Sequence, residues 1–119
     1  MSKKWINVIL TTLVALVFVA SAVGKFMANA EALKMAESFG LDATTNYALG
    51  VIEIVAVLLF ILPRTGILGT LLLAAYMGGA IATHLEHGES ILIPCIIQAI
   101  LWSVALYRFP ELGTRLLKG

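Results

Sequence analysis

The chain has 119 residues, of which 61% are hydrophobic and only 13% charged, with a formal net charge of +1. A soluble domain of this size carries about 25% charged residues and 45–50% apolar ones, so a soluble globular fold is excluded. The net charge is itself uninformative, and no basic cluster points to a nucleic-acid partner.

Four apolar runs use well over half the sequence: Trp5–Val23, Tyr47–Pro63, Gly66–Thr83 and Ile91–Tyr107. They predict an all-α membrane protein: a four-transmembrane-helix bundle with spans at about 5–25, 46–63, 66–84 and 91–108. The whole chain, 1–119, reads as one such domain. Lys3 and Lys4 before an apolar run, with Ala28-Asn29-Ala30 further on, have the outline of a cleaved signal. The run is too long for a signal core, however, and a retained first helix is expected.

The first predicted helix, from about Trp5 to Lys25, ends with Ser21 and Lys25 four residues apart and therefore on one face. Lys25 is either a helix-end lysine reaching to water or part of a site. Residues 26–45 form the one long connection. Glu31, Lys34 and Glu37 recur every third position while Ala30, Leu33 and Ala36 line another side, which predicts a short amphipathic helix at the surface. Gly40 suits its end, and Asp42 or Thr44 suits the cap of the next helix.

The second span, Tyr47–Arg64, contains the residue that poses the functional question. It reads YALGVIEIVAVLLFILPR, apolar from Ala48 to Pro63 except for Glu53. As a helix it reaches about 27 Å, close to the ~30 Å of a bilayer core. A carboxylate at such depth costs roughly 2.5–3.5 kcal/mol on insertion scales, so it needs a partner or a wet cavity. Lys25 is the nearest candidate cation.

Thr65-Gly66 predicts a tight turn into the third span. There Ala75, Gly79 and Thr83, and likewise Ala74, Gly78 and Ala82, follow at spacing four, a pattern that predicts close helix packing. Tyr76 is the one large polar residue of this span. The loop His84–Ser90 is the most polar patch, but His84 and His87 lack the HExxH arrangement and an obvious third ligand, so no metal site is expected. In the fourth span Pro94 sits in the first turn, and Cys95, Gln98 and Trp102 share a face. Cys95 is the only cysteine, which excludes an intramolecular disulfide and a two-thiol redox cycle.

Lys3, Lys4, Arg64, Arg108, Arg115 and Lys118 fall on one side of this four-span arrangement, against Lys25 and Lys34 on the other. The positive-inside rule then predicts cytoplasmic N- and C-termini in a cell (inner) membrane, with the long connection and the histidine loop outside. Ser21, Glu53, Tyr76 and Gln98 fall about 6–12 Å below the outer helix ends, with Lys25 and His84 above them. The inner halves, such as Val55–Leu62 and Ile67–Leu73, are nearly free of polar residues. This bias predicts a polar site opening outward, with packing of the bundle as the competing explanation.

Four stretches carry a resemblance. Ser21-Ala22-Val23-Gly24-Lys25-Phe26 closes the first span, and Gly50-Val51-Ile52-Glu53 lies in the second. Leu62-Pro63 is followed by Gly66, and Met77-Gly78-Gly79-Ala80 leads to His84-Leu85. In their order and spacing the chain resembles the DoxX-like family of small four-helix membrane proteins. The resemblance implies a polar signature at Lys25, Glu53 and His84, and a link to membrane redox metabolism. Some members of that family are tied to sulfur-compound oxidation with quinone as acceptor, and others to assembly or redox partners.

Two functions follow as expectations. In the first, a quinone-like headgroup or small oxidised molecule binds at Glu53, Lys25 and His84, with Ser21, Tyr76, Gln98 and Trp102 lining the site. Lys25, Tyr76 and His84 donate hydrogen bonds while Glu53 exchanges a proton. The chain encodes no recognisable flavin, haem or thiol-pair motif, so electron transfer would draw on a partner or a bound cofactor such as quinone. In the second, the chain is a non-catalytic subunit or assembly factor whose polar cluster serves packing or docking. The expected partners are the lipid bilayer, a small-molecule ligand, a membrane or redox protein, and further copies of the chain.

Overall fold

A computed structural model describes residues 2–27 and 29–118; Ala28, of the Ala28-Asn29-Ala30 triplet, lies outside them. Among these residues six α-helices and one 3₁₀ turn follow in order, without strands. They are α1 (Lys3–Met27), α2 (Ala30–Ser38), α3 (Ala43–Ile61), a 3₁₀ turn (Pro63–Thr65), α4 (Gly66–Glu86), α5 (Leu92–Arg108) and α6 (Pro110–Lys118).

Helices α1, α3 and α4, the last together with its 3₁₀ turn, are long and apolar enough to cross a membrane; the bent pair α5–α6 supplies a fourth candidate. The chain is an all-α membrane bundle. Around it the order is α1, α3, α4, α5, with α5 returning to α1. Short connections force α3, α4 and α5 to run antiparallel in turn, while α2 bridges the longer step from α1 to α3. The four helices therefore present two ends: one carries α2 and the His84–Ser90 loop, the other carries α6, the 3₁₀ turn and the start of α1.

The core is built from one stripe of each long helix: Val14 and Phe18 of α1, Val57 and Phe60 of α3, Leu73 and Met77 of α4, Leu101 and Val104 of α5. The remaining apolar side chains, among them Leu13, Leu16, Ile52, Leu58, Leu71 and Ile96, stand exposed on the outside. Outward apolar surface is what a hydrocarbon solvent asks for.

Local chemistry explains the ends. Asn29 caps α2 by accepting from Ala32 N at 2.8 Å, and Asp42 caps α3 by accepting from Thr45 N at 2.7 Å. That cap starts α3 at Ala43, three residues before the predicted 46. Gly40 (φ +73°) ends α2: its N–H reaches Glu37 O and that of Leu41 reaches Ala36 O. Gly88 (φ +69°) ends α4 in the same way on Leu85 and His84 carbonyls. Both are left-handed positions where a Cβ is penalised.

Two differences from the sequence reading concern packing. The turn into α4 is a 3₁₀ turn begun by Pro63 rather than a Thr65-Gly66 turn. With the helix stopped there, the last α3 carbonyls take side-chain donors: Thr65 Oγ1 bonds Leu59 O at 2.8 Å, and Arg108 bonds Phe60 O and, at 2.6 Å, Ile61 O. The close approach of α3 and α4 is made at Gly69, where a Cβ would run into the Phe60 backbone, whereas Gly78 and Gly79 have nothing within 4 Å of such an atom. Spacing four marked a face but did not show which face meets a neighbour. Beyond α5, Pro110–Lys118 folds as a further helix, α6, turned 106° from α5.

Candidate functional site

At the α2 end, three helices bring polar groups together. Lys25 lies in the last turn of α1 and Glu53 is the eleventh residue of α3. Lys25 Nζ donates to Glu53 Oε1 at 3.2 Å and to Ser21 Oγ at 2.7 Å. The ring centre of Tyr76, from α4, lies 5.6 Å from the same ammonium, within cation–π range.

The sequence sets up this meeting. Glu53 occupies the buried stripe of α3 with Asn46, Gly50, Ala56, Val57 and Phe60, at helical spacing. Gly50, one turn before Glu53, leaves room for the Phe26 ring, which a Cβ there would meet at 2.8 Å. Phe26 packs on Tyr47 at 5.1 Å between ring centres, and these contacts pin the end of α1 against α3. Lys25 is thereby aimed at the carboxylate instead of away from the bundle.

Burial within the cluster is graded. The Glu53 side chain is 1% exposed and that of Lys25 19%. Ser21 lies on the exposed surface and Tyr76 is half-buried. The carboxylate is thus closed off behind the ammonium, and the cluster meets the exterior through Lys25 and Ser21. Because α3 starts early, Glu53 stands ten residues past Ala43, or about 15 Å at 1.5 Å per residue. It sits deeper from its helix end than the sequence suggested.

The other predicted site residues lie elsewhere. His84 Nδ1 is 2.6 Å from Ala80 O in its own helix, and its ring packs on Phe39 with centres 4.6 Å apart. It joins a separate contact with His87, whose ring centre is 6.1 Å from that of Phe39. Phe39 is the residue the sequence reading missed there; its place directly before the helix-ending Gly40 was the available signal. Gln98 donates to Ala74 O at 3.1 Å across α4 and α5, while its Oε1 is buried without a partner. Trp102 packs at the opposite end, against the cluster of Ala105, Phe109 and Leu112. It shares a helical face with Gln98 but stands nearer α6 than Glu53. Cys95 is exposed. Among the described residues no group of three or more His, Cys, Asp or Glu is placed to hold a metal.

An apolar helical bundle with an ion pair held between its helices defines a small integral membrane protein. The DoxX-like family model matches residues 9–105, which include Ser21, Lys25, Glu53, Tyr76 and His84, and the chain belongs to that family. No curated protein and no solved structure matches it.

Proposed function

We propose that the chain binds a small oxidised molecule, most simply a quinone-like headgroup, at the Ser21–Lys25–Glu53–Tyr76 cluster, as part of membrane redox metabolism. The observation that carries this reading is the graded burial: a sealed carboxylate sits behind a half-buried ammonium that reaches the surface. A headgroup carbonyl accepting from Lys25 or Tyr76 takes up a donor near the exterior, and Glu53 then stands one contact away as the group that exchanges a proton. His84, held by Ala80 and Phe39, and Gln98, bonded to Ala74, stand apart from this cluster and are not part of the proposed site. Orientation enters through the basic residues: the α6 end faces the cytoplasm and the cluster opens to the other side of the inner membrane.

The test is a melting series of the purified protein with a short-chain benzoquinone. Ligand that binds only the folded chain raises stability by RT ln(1 + [L]/Kd), about 2.7 kcal/mol at a hundredfold excess over Kd. Wild type should show this shift. Glu53→Gln and the double variant Lys25→Met with Glu53→Leu should lose it while still folding.

One observation favours a second reading. Lys25, Ser21 and Glu53 satisfy one another without any ligand, as polar groups do when they merely fix a bundle. In that case the chain is a non-catalytic membrane subunit or assembly factor. A folded double variant that keeps full function in cells would decide for this alternative.

A further inference from the structure

The end of the bundle away from the polar cluster carries α6, which the proposed site does not use. Phe109 leaves helical geometry at φ −123° and ψ 82°, and Pro110 opens the new helix, where its missing N–H is harmless. A turn of 106° from α5 lays α6 across the bundle end. At 100° per residue, Leu112, Gly113, Leu116 and Leu117 fall in one arc of α6, with Glu111, Thr114, Arg115 and Lys118 in the other; Phe109, just before the helix, adds its ring to the apolar side.

The apolar arc is only half used. Phe109 and Leu112 are buried against Ala105, with Ile67 and Trp102 beside them. Leu116 and Leu117 are 57% and 80% exposed. A helix end packed on the bundle therefore holds two leucines out beyond it.

Charge says what covers them. Lys3, Lys4, Arg64, Arg108, Arg115 and Lys118 collect at this end against Glu111 alone, six minus one, or +5. The other end holds Lys25 and Lys34 against Glu31, Glu37, Asp42, Glu53, Glu86 and Glu89, two minus six, or −4; the two sum to the chain's +1. Arg108 is committed to the α3 carbonyls, but Lys3, Lys4, Arg64, Arg115 and Lys118 are exposed.

We propose that α6 is an interfacial anchor that binds a leaflet rich in anionic phospholipid. Leu116 and Leu117 enter the acyl boundary, while Arg115 and Lys118, joined by Lys3, Lys4 and Arg64, bind the headgroup phosphates. A helix lying across the bundle end, apolar on one face and basic on the other, matches a charged interface better than a second protein. The family match stops at residue 105, so the anchor lies outside the region it describes.

The experiment uses the full chain carrying Cys95→Ala, with a single cysteine placed by Leu117→Cys or by Thr114→Cys and labelled with an environment-sensitive fluorophore. The protein is reconstituted in phosphatidylcholine vesicles with or without phosphatidylglycerol and a lipid-borne quencher near the headgroups. The label at 117 should be quenched and that at 114 should stay in water, most clearly with phosphatidylglycerol present. Spin-labelled phosphatidylglycerol should associate with the otherwise unchanged chain in preference to phosphatidylcholine. Arg115→Gln with Lys118→Gln should reduce that preference, by up to about fivefold per charge removed. A label at 117 that stays in water in both lipids would overturn the proposal and leave the leucines to a protein partner. Equal quenching at 114 and 117, or a lipid preference indifferent to the two charge changes, would overturn it as well.

Discussion

The two halves of the bundle are held by different means. Toward α6, backbones approach to touching distance at Gly69 and Phe60, and the Phe109 ring fills the space beside Gly66. Phe60, Leu73 and Leu101 are fully buried there, and Arg108 and Thr65 satisfy the α3 carbonyls. Toward α2, Gly24, Gly78 and Gly79 have no neighbour that a Cβ would touch, and the close approaches there, Gly50 to Phe26 and Gly40 to His87, are to side-chain rings and not to backbone. That half is held by the Lys25–Glu53 pair, the Phe26–Tyr47 contact and the Phe39–His84 contact. Close packing has one geometry and resists change. Polar and ring contacts between helix ends can be exchanged for a ligand's without emptying the core. The contrast assigns stability to one half and adaptability to the other.

The contrast is broken most sharply at the ion pair. Removing one member of a buried pair leaves an uncompensated charge and costs ~3–5 kcal/mol, whereas removing both can be nearly neutral. Lys25→Met and Glu53→Leu should each lower the melting temperature in detergent strongly, and the double variant should recover most of the loss. Additive losses would show that the two side chains do not support one another, and Lys25 would become an ordinary helix-end lysine.

Packing in the other half is sharpened by glycine substitutions. Gly69→Ala puts a Cβ into the Phe60 backbone, which cannot rotate away as a side chain can. Overpacking of this kind costs typically 1–3 kcal/mol, and more where backbone must move. Gly78→Ala and Gly79→Ala meet open space and remove glycine from a helix interior, so they should be neutral or stabilising, by up to ~1 kcal/mol. Melting temperatures of the three variants check this. Similar losses at all three would mean that Gly78 and Gly79 also pack, against another copy or another protein.

These sites also mark how far the sequence was legible. The helices could be read because apolar runs of membrane length have few alternatives. Glu53 stood out because it is the one charge in its run, and Lys25 because few cations lie near that end. Neighbours across the bundle were harder. Trp102 lies on the face of Gln98, yet helical spacing does not say which end of a helix meets which partner. The spacing of Ala75, Gly79 and Thr83 matched a packing motif, but contact falls at Gly66 and Gly69, chosen by the crossing of α3 and the position of Phe109. No helix was legible over Pro110–Lys118, because its nine residues hold only three leucines; its amphipathic arc emerges only once the turn after Arg108 is known.

The smallest effect tests the entry to the adaptable half. Asp42, outside the membrane-spanning segments, accepts the Thr45 N–H at the start of α3, and that bond holds its carboxyl below the usual carboxylate range. A depressed folded value means that the unfolded chain binds the proton more readily. The contribution is therefore complete above the unfolded pKa, ~3.9 for an unperturbed aspartate, and is lost as pH falls through the lower folded value. Other carboxylates titrate in the same range, so the comparison must be with Asp42→Asn, which keeps a capping oxygen but cannot titrate. The difference in melting temperature between wild type and Asp42→Asn should be constant from pH 7 to 5 and should shift against the wild type below about pH 4. Because Asp42 is fully exposed, the shift should be slight and confined to the first turn of α3, where loss of protection at the Thr45 amide reports it directly. A pH-independent difference would mean that the cap contributes through its geometry alone, and that the start of α3 is fixed instead by Gly40 and by the packing of Asn46.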